Sequence, residues 1–262
     1  VLRIYPALLR AGLAEAIAYR AEMLVWMLTT TMPLVMWALW HAVAREAAVG
    51  RFGPSEVTAY YVSSLVVRLL TGAWVAWLLN MEIRDGTLSM RLMRPIHPLF
   101  AYSAENIAAL PLRLTIVLPG AIGLLVSQAA RHLTHDPWIV AGALVATFLA
   151  WLLTFFTQAM VGMVAFYWQS ALGLVDLWFG VWGLLSGYIL PLELFPARLR
   201  PVIELLPFRF MLSFPVELLT GRHGQRPMLT GLATQLAYVV AAGLATHLLW
   251  RRALRHFGAV GG

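Results

Sequence analysis

The 53 residues from Trp138 to Leu190 carry a single charge, Asp176. At 1.5 Å per residue that stretch, drawn as one helix, is about 80 Å long, more than twice the ~30 Å of a bilayer's hydrocarbon core. It therefore reads as two membrane spans with a tight reversal at Tyr167-Trp168-Gln169-Ser170, where belt-type aromatic residues meet polar ones. Backbone groups in hydrocarbon are satisfied only inside helices or closed barrels. The apolar segments here run continuously and show no dyad alternation, so the class is all-α.

Four more runs fit the same reading: Met23–Val43, Val57–Leu79 interrupted by Arg68, Ile107–Ser127 with Arg113, Pro111 and Pro119, and Met228–Trp250. Six spans put both termini on one side. The composition agrees, with 61% hydrophobic and 12% charged residues excluding a water-soluble domain and a disordered chain alike. No internal repeat, soluble domain or linker is visible, so residues 1–262 read as a single transmembrane domain. Its non-spanning parts are an N-terminal segment (1–22), a polar connection (80–100) and a proline-rich connection (191–227).

Residues 1–22 read as an amphipathic helix lying in the headgroup plane, with Tyr5, Leu9 and Leu13 on one face and Arg3 and Arg10 to the side. The net charge of +7 suits an anionic inner leaflet. The arginines are scattered among spans and form no groove-facing stripe, which argues against a nucleic-acid partner. Flanking arginines divide nine to eight in favour of termini inside, and five of the eight opposing ones share one long connection. The first apolar run is too long and begins too late for a cleavable signal peptide.

Cysteine is absent, which removes disulfides, thiol nucleophiles and cysteine metal sites. Lysine is absent too: all 19 basic residues are arginine. A phosphate loop needs its lysine on the terminal phosphates, so any ATP hydrolysis belongs to another chain. His132-x-x-His135-Asp136 is too sparse for a metal site, and no metal is expected. No Ser/His/Asp set or close carboxylate pair suggests catalysis, so no catalytic residue is assigned and the chain is expected not to be an enzyme.

Between the second and third spans lies the polar stretch Glu82-Ile83-Arg84-Asp85-Gly86-Thr87-Leu88-Ser89-Met90-Arg91-Leu92-Met93-Arg94-Pro95. Leu88 and Leu92, at i and i+4, give it an apolar ridge. Gly86 permits a bend, and Pro95 with Pro98 ends the helix. Such a helix can dock by its ridge into a groove on a partner, with charged flanks fixing the register; on the residues alone a solvated hairpin loop is the leading alternative.

The run E-I-R-D-G-T-L-S-M-R-L-M-R-P-I-H-P-L-F resembles the cytoplasmic signature of ABC-two type transporter permeases, in particular the bacterial branch that ends this loop with R-P and then P-L-F. P-L-E-L-F-P at Pro191–Pro196 followed by L-P-F-R-F-M-L-S-F-P-V-E-L-L-T-G at Leu206–Gly221 is similar to the region between that family's fifth and sixth spans. The resemblance implies the transmembrane subunit of an ATP-binding-cassette exporter in a bacterial cytoplasmic membrane. It would pair with a second permease and two separate ATPase chains, which would hold the ATP and magnesium; no cofactor is expected on this chain. Glu82, Arg84, Asp85, Gly86, Thr87, Leu88, Arg91, Leu92, Arg94 and Pro95 would form the coupling helix, and Pro191, Pro196, Leu206, Pro207, Phe208 and Pro215 would belong to an outer gate.

The connection from Pro191 to Pro227 also has a reading of its own. Its six prolines leave stretches too short to cross a bilayer, yet its leucines and phenylalanines are too apolar for a solvated loop. Short re-entrant or interfacial helices capping the bundle reconcile the two. Three ionisable residues sit within spans, where such groups are paired or face water. Arg113 and Asp176 are expected to pair with each other, and Arg68 to face another span or a subunit interface, the alternative being a place on the substrate path. Gly183-x-x-x-Gly187 marks a close-packing face on the fifth span, with Trp178, Phe179 and Trp182 beside it. The expected cargo is amphipathic or lipid-like. Two other classes stay open: an ion-coupled secondary transporter, which would show a repeat and midplane carboxylates, and a polytopic membrane enzyme acting on lipids.

Overall fold

The computed structural model describes residues 4–21, 25, 32–48, 50, 52–168 and 172–256. They form α1 (Tyr5–Ala18), α2 (Met32–Glu46), α3 (Pro54–Thr71), α4 (Val75–Arg84), α5 (Leu88–Leu92), α6 (Pro98–Ala108), α7 (Leu110–Val126), α8 (Pro137–Gly162), α9 (Leu172–Leu185), α10 (Arg200–Leu205), α11 (Pro207–Met211), α12 (Ser213–Leu219) and α13 (Gln225–Ala253). Among the described residues no β-strand forms.

Four helical stretches are long and apolar enough to cross a membrane: Pro54–Arg84, Pro98–Val126, Pro137–Phe166 and Gln225–Ala253. α9, at 14 residues, is shorter. Most of the N-terminal half of the expected first span, and Gln169-Ser170 of the expected reversal, lie outside the described residues, as do residues 1–3 and 22 of the N-terminal segment. The second of these stretches starts at Pro98, earlier than the apolar run Ile107–Ser127 suggested. Arg113 is therefore about four turns from its start.

Prolines set these boundaries. Pro54, Pro98, Pro137 and Pro207 each stand in the first turn of their helices, where the missing N–H is no loss. His97 accepts from the Leu99 amide and Asp136 from the Trp138 amide, two side-chain N-caps.

α8 is the axis of the bundle, with α13, α12, α4, α11 and α3 packed round it. Small residues bring the backbones together. A Cβ on Gly162 would lie 3.0 Å from the backbone of Ala76 on α4, and one on Gly142 would collide with Met228 on α13. α1 packs along α6 in the same way, Gly12 against Ala108 and Glu105, with the Tyr5 hydroxyl 3.1 Å from Ser103 Oγ. The buried face of α1 is thus Gly12 and Ala16, and Leu9 and Leu13 are only half-buried.

Gly187 is not part of a packing stripe, because α9 ends at Leu185. It turns the chain with φ +86°, and a Cβ there would meet Ser213 Oγ at 2.5 Å and the Tyr60 hydroxyl at 2.6 Å. Strain and clash act together, so Gly187→Ala is expected to destabilise the fold by about 2–3 kcal/mol. A thermal melt of the detergent-solubilised protein checks this; an unchanged melting temperature contradicts it.

Candidate functional site

The polar connection after α4 is a braced corner. Gly86 supplies the turn at φ +73°, and Ser89 Oγ donates to its carbonyl at 2.7 Å. This sets α5 so that Arg91 points back at the bundle. Its Nε donates to both carboxylate oxygens of Glu82 at 2.8 Å, and its Nη1 donates to Glu105 Oε1 at 2.6 Å. The Tyr102 hydroxyl donates to Glu82 Oε2 at 2.6 Å, and its ring lies 4.5 Å from the Arg91 guanidinium. Burial alone would lower the Arg91 pKa; the carboxylates of Glu105 and Glu82 outweigh that and raise it. One arginine thus ties together α4, α5 and α6.

The ridge expected to meet a partner faces the other way. Leu88 is 0% exposed, packed in a core with Leu79, Ile83, Tyr102, Phe155, Met163 and Trp250, and Leu92 lies against it. A five-residue helix beside an apolar bundle buries its two leucines in its own chain, because nothing else removes them from water. The outward face carries Met90 (57% exposed) and Met93 (79%), flanked by Arg84, Asp85, Thr87, Arg94 and Pro95.

Deeper in the bundle, Arg113 and Asp176 do not pair. Asp176 is exposed on α9, whereas Arg113 is buried against a break in its neighbour. The stretch Pro54–Arg84 is interrupted at Gly72-Ala73-Trp74, which releases backbone carbonyls from the helical ladder. Arg113 Nη1 donates to Gly72 O at 2.7 Å and to Leu69 O at 3.3 Å, and Nη2 reaches Asn106 Oδ1 at 3.5 Å. Arg68 lies beside it, 7% exposed, its guanidinium 4.6 Å from the Trp182 ring centre and 6.0 Å from that of Tyr188. Trp182 in turn stacks on Trp178. Both Nη1 atoms come within 4 Å of where a Gly72 Cβ would be, at 3.4 Å from Arg68 and 3.7 Å from Arg113. Nearby, Asn80, Thr154, Gln158 and Ser64 bury side-chain polar atoms that find no hydrogen-bond partner among the described residues.

At the opposite end, α10, α11 and α12 fold the proline-rich connection into the bundle. Phe210 to Leu218 are buried, including Pro215, and Pro191 is buried too. Leu206, Pro207 and Phe208 are half-buried and Pro196 is exposed. Tyr60 donates to Gly187 O at 2.7 Å and Tyr61 to Ile189 O at 2.9 Å, while Gln235 of α13 donates to Ala146 O and Phe210 O at 2.8 Å. Buried Glu217 accepts from Arg209 and His223, each at 2.7 Å, and Arg222 pairs with Glu193 at 2.7 Å. Burial would raise the Glu217 pKa, but the His223 bond and the Arg209 charge hold it down at about 2. Sequence reasoning missed Tyr60, Tyr61, Gln235 and Glu217. Their only trace in the sequence is a hydrogen-bonding group inside or beside an apolar run. His132 lies 3.5 Å from Glu56, and Asp136 serves as a helix cap.

Two clefts open on the Arg91 end. One of about 430 Å³ lies between α1, α4 and α6, with Glu15, Glu82, Arg91, Glu105, Trp74 and Arg113 in its wall. The other, about 640 Å³ and almost wholly apolar, lies on the other face of α6 among Tyr5, Phe100, Trp151, Phe156 and His247.

A family model described as ABC-2 family transporter protein matches residues 24–261, and the chain belongs to that family. No curated protein matches the sequence.

Two outcomes follow from these contacts. Arg113→Met leaves two buried carbonyls without their charged donor and is expected to destabilise the protein by roughly 2–4 kcal/mol, whereas Asp176→Asn changes little; thermal melts of the two variants check it, and equal effects contradict it. Glu217 has a folded pKa below its ordinary 4.5, so its contribution is complete above that value and lost as the pH falls toward 2. Melting temperature should drop between pH 5 and pH 3 in the native chain and drop less in Glu217→Gln.

Proposed function

We propose that this ABC-2 family member is the transmembrane subunit of an ATP-driven exporter, powered by two separate ATPase chains that dock on the segment from Glu82 to Pro95. Six spans with both termini in the cytoplasm, a second permease copy or homologue, and a bacterial cytoplasmic membrane complete the reading. ATP and magnesium sit on the ATPases. The cargo is amphipathic or lipid-like.

One observation carries the proposal: a braced corner exposes two methionines. Arg91 makes α4, α5 and α6 a single body, so a push on the outward face of α5 moves α4 with it. The interruption at Gly72-Ala73-Trp74 is the natural hinge, since it has no helical ladder to break. Methionine is a soft, adaptable contact residue, suited to a groove that changes shape with nucleotide state. Arg84, Asp85 and Arg94 around it would fix the register. The buried proline-rich connection, from Pro191 to Pro215, would close the far end as a gate.

The test separates docking from folding. Met93→Asp with Arg94→Glu alters only exposed side chains, so the permease should remain folded and lose most of its bound ATPase on purification. Leu88→Asp, by contrast, should unfold or destabilise the permease itself, since it buries a charge. ATPase stoichiometry in the purified complex, beside a thermal melt of each variant, is the measurement. Normal ATPase content in the Met93/Arg94 variant overturns the docking role.

A further inference from the structure

The 430 Å³ cleft between α1, α4 and α6 has its charges sorted by depth. At its mouth stand three carboxylates, Glu15 of α1, Glu82 of α4 and Glu105 of α6, with Arg91 as their cation. Glu15 is exposed and free to turn toward an incoming group. Arg113 is eight residues beyond Glu105, about 12 Å further along the helix. Arg68 is beside it across Gly72, and neither arginine has a carboxylate partner among the described residues. The mouth is therefore short of positive charge, and the deep end is short of negative charge. Trp74 and Leu78 line the wall between, and Tyr19 stands at the rim.

A charge arrangement of this kind selects by sign and by order. A singly anionic amphiphile gains at Arg113 but must pass three carboxylates. A cationic one is held at the mouth but meets two guanidiniums at depth. A zwitterion with the anion nearer its hydrocarbon tail satisfies both ends at once. In a phosphocholine or phosphoethanolamine headgroup the phosphate precedes the ammonium in that order, and the ammonium would reach carboxylates and the aromatic rim, the usual surroundings of alkylammonium groups.

We propose that this cleft binds zwitterionic phospholipid-type headgroups, the phosphate on Arg113 with Arg68 behind it and the ammonium on Glu15 and Glu105. The proposal rests on the transport reading and narrows its cargo to amphiphiles of that class. The two arginines, on neighbouring spans, are held by carbonyls and aromatic rings and keep their net charge, so an anionic group reaching Arg113 would meet a cation that no acid neutralises.

Binding is measured on the full chain alone, in nanodiscs of phosphatidylglycerol, by titration calorimetry with four probes of one tail length: hexylphosphocholine, the singly charged diester hexyl methyl phosphate, hexyltrimethylammonium and hexyl maltoside. No ATPase is present, so failure here is distinct from failure of the docking experiment. Hexylphosphocholine is expected to bind about tenfold or more tighter than either singly charged probe, as one charge-assisted hydrogen bond is worth roughly that factor. Glu15→Gln, an exposed substitution that leaves the fold intact, should bring hexylphosphocholine most of the way down to the affinity of hexyl methyl phosphate, Glu105 retaining the remainder. Arg113→Gln, whose amide can still donate to Gly72 O, should bring it down to that of hexyltrimethylammonium, while Arg113→Lys retains the preference. Equal affinity for the zwitterion and either single charge in the native chain, or a preference untouched by Glu15→Gln and Arg113→Gln, overturns the proposal.

Discussion

The arrangement of this bundle depends on what happens to the backbone where the helix of residues 54–84 breaks. In lipid no water is at hand for a released carbonyl, and each unsatisfied group would cost several kcal/mol. The guanidinium of Arg113 supplies the donors, reaching Gly72 O and Leu69 O from a neighbouring helix. The exchange works in both directions. The carbonyl dipoles make a cation tolerable at that depth, and the cation makes an interrupted helix tolerable there. Arg68, spread over Trp182, adds a second cation held by ring quadrupoles rather than by an acid. The result is a segment that is broken, buried and yet fixed.

Its two halves are held by different means. Above the break, α3 is tied to the far end through the Tyr60 and Tyr61 hydroxyls, which reach the carbonyls of Gly187 and Ile189. Below it, α4 is tied to α5 and α6 through Arg91. Neither set of bonds crosses Gly72-Ala73-Trp74. Displacement of one half therefore need not disturb the hydrogen bonds of the other, the condition for a hinge within a span.

The sequence displayed some of this and concealed the rest for physical reasons. Long apolar runs marked the long helices, because length is a local property, whereas Pro98, read as ending a helix, starts α6, since a proline that cannot continue one helix is well placed to open the next. The inward turn of Leu88 was concealed: two leucines at i and i+4 look the same whether the groove they fill belongs to another protein or to their own chain. What decides it is the opposite face, where Met90 and Met93 would otherwise have to be buried. Arg113 was assigned to Asp176 because a reading of side chains sees only side-chain acids as partners. Its true acceptors are carbonyls, which become available only if Gly72 ends a helical ladder in the middle of an apolar run. Gly187 likewise passed for half of a small-residue stripe until α9 was seen to end two residues before it. Tyr60, Tyr61 and Gln235 stay hidden because their bonds go to backbone far along the chain.

The close packing of α4 on α8 limits which motions the broken segment permits. Gly162 brings α8 to within 3.0 Å of the Ala76 backbone, measured from the position of its absent Cβ. Two helices that near cannot tilt apart without losing that contact along much of their length, and they cannot rotate without driving side chains into backbone. Sliding along the shared axis keeps the separation constant and is the displacement the interface resists least. Such a slide would carry Glu82 and Arg91 along α8, and through Glu105 the stretch Pro98–Val126 that holds Arg113. Arg113 would then shift against Leu69 O of α3, so a force applied at Met90 and Met93 would be felt where the deep cations lie.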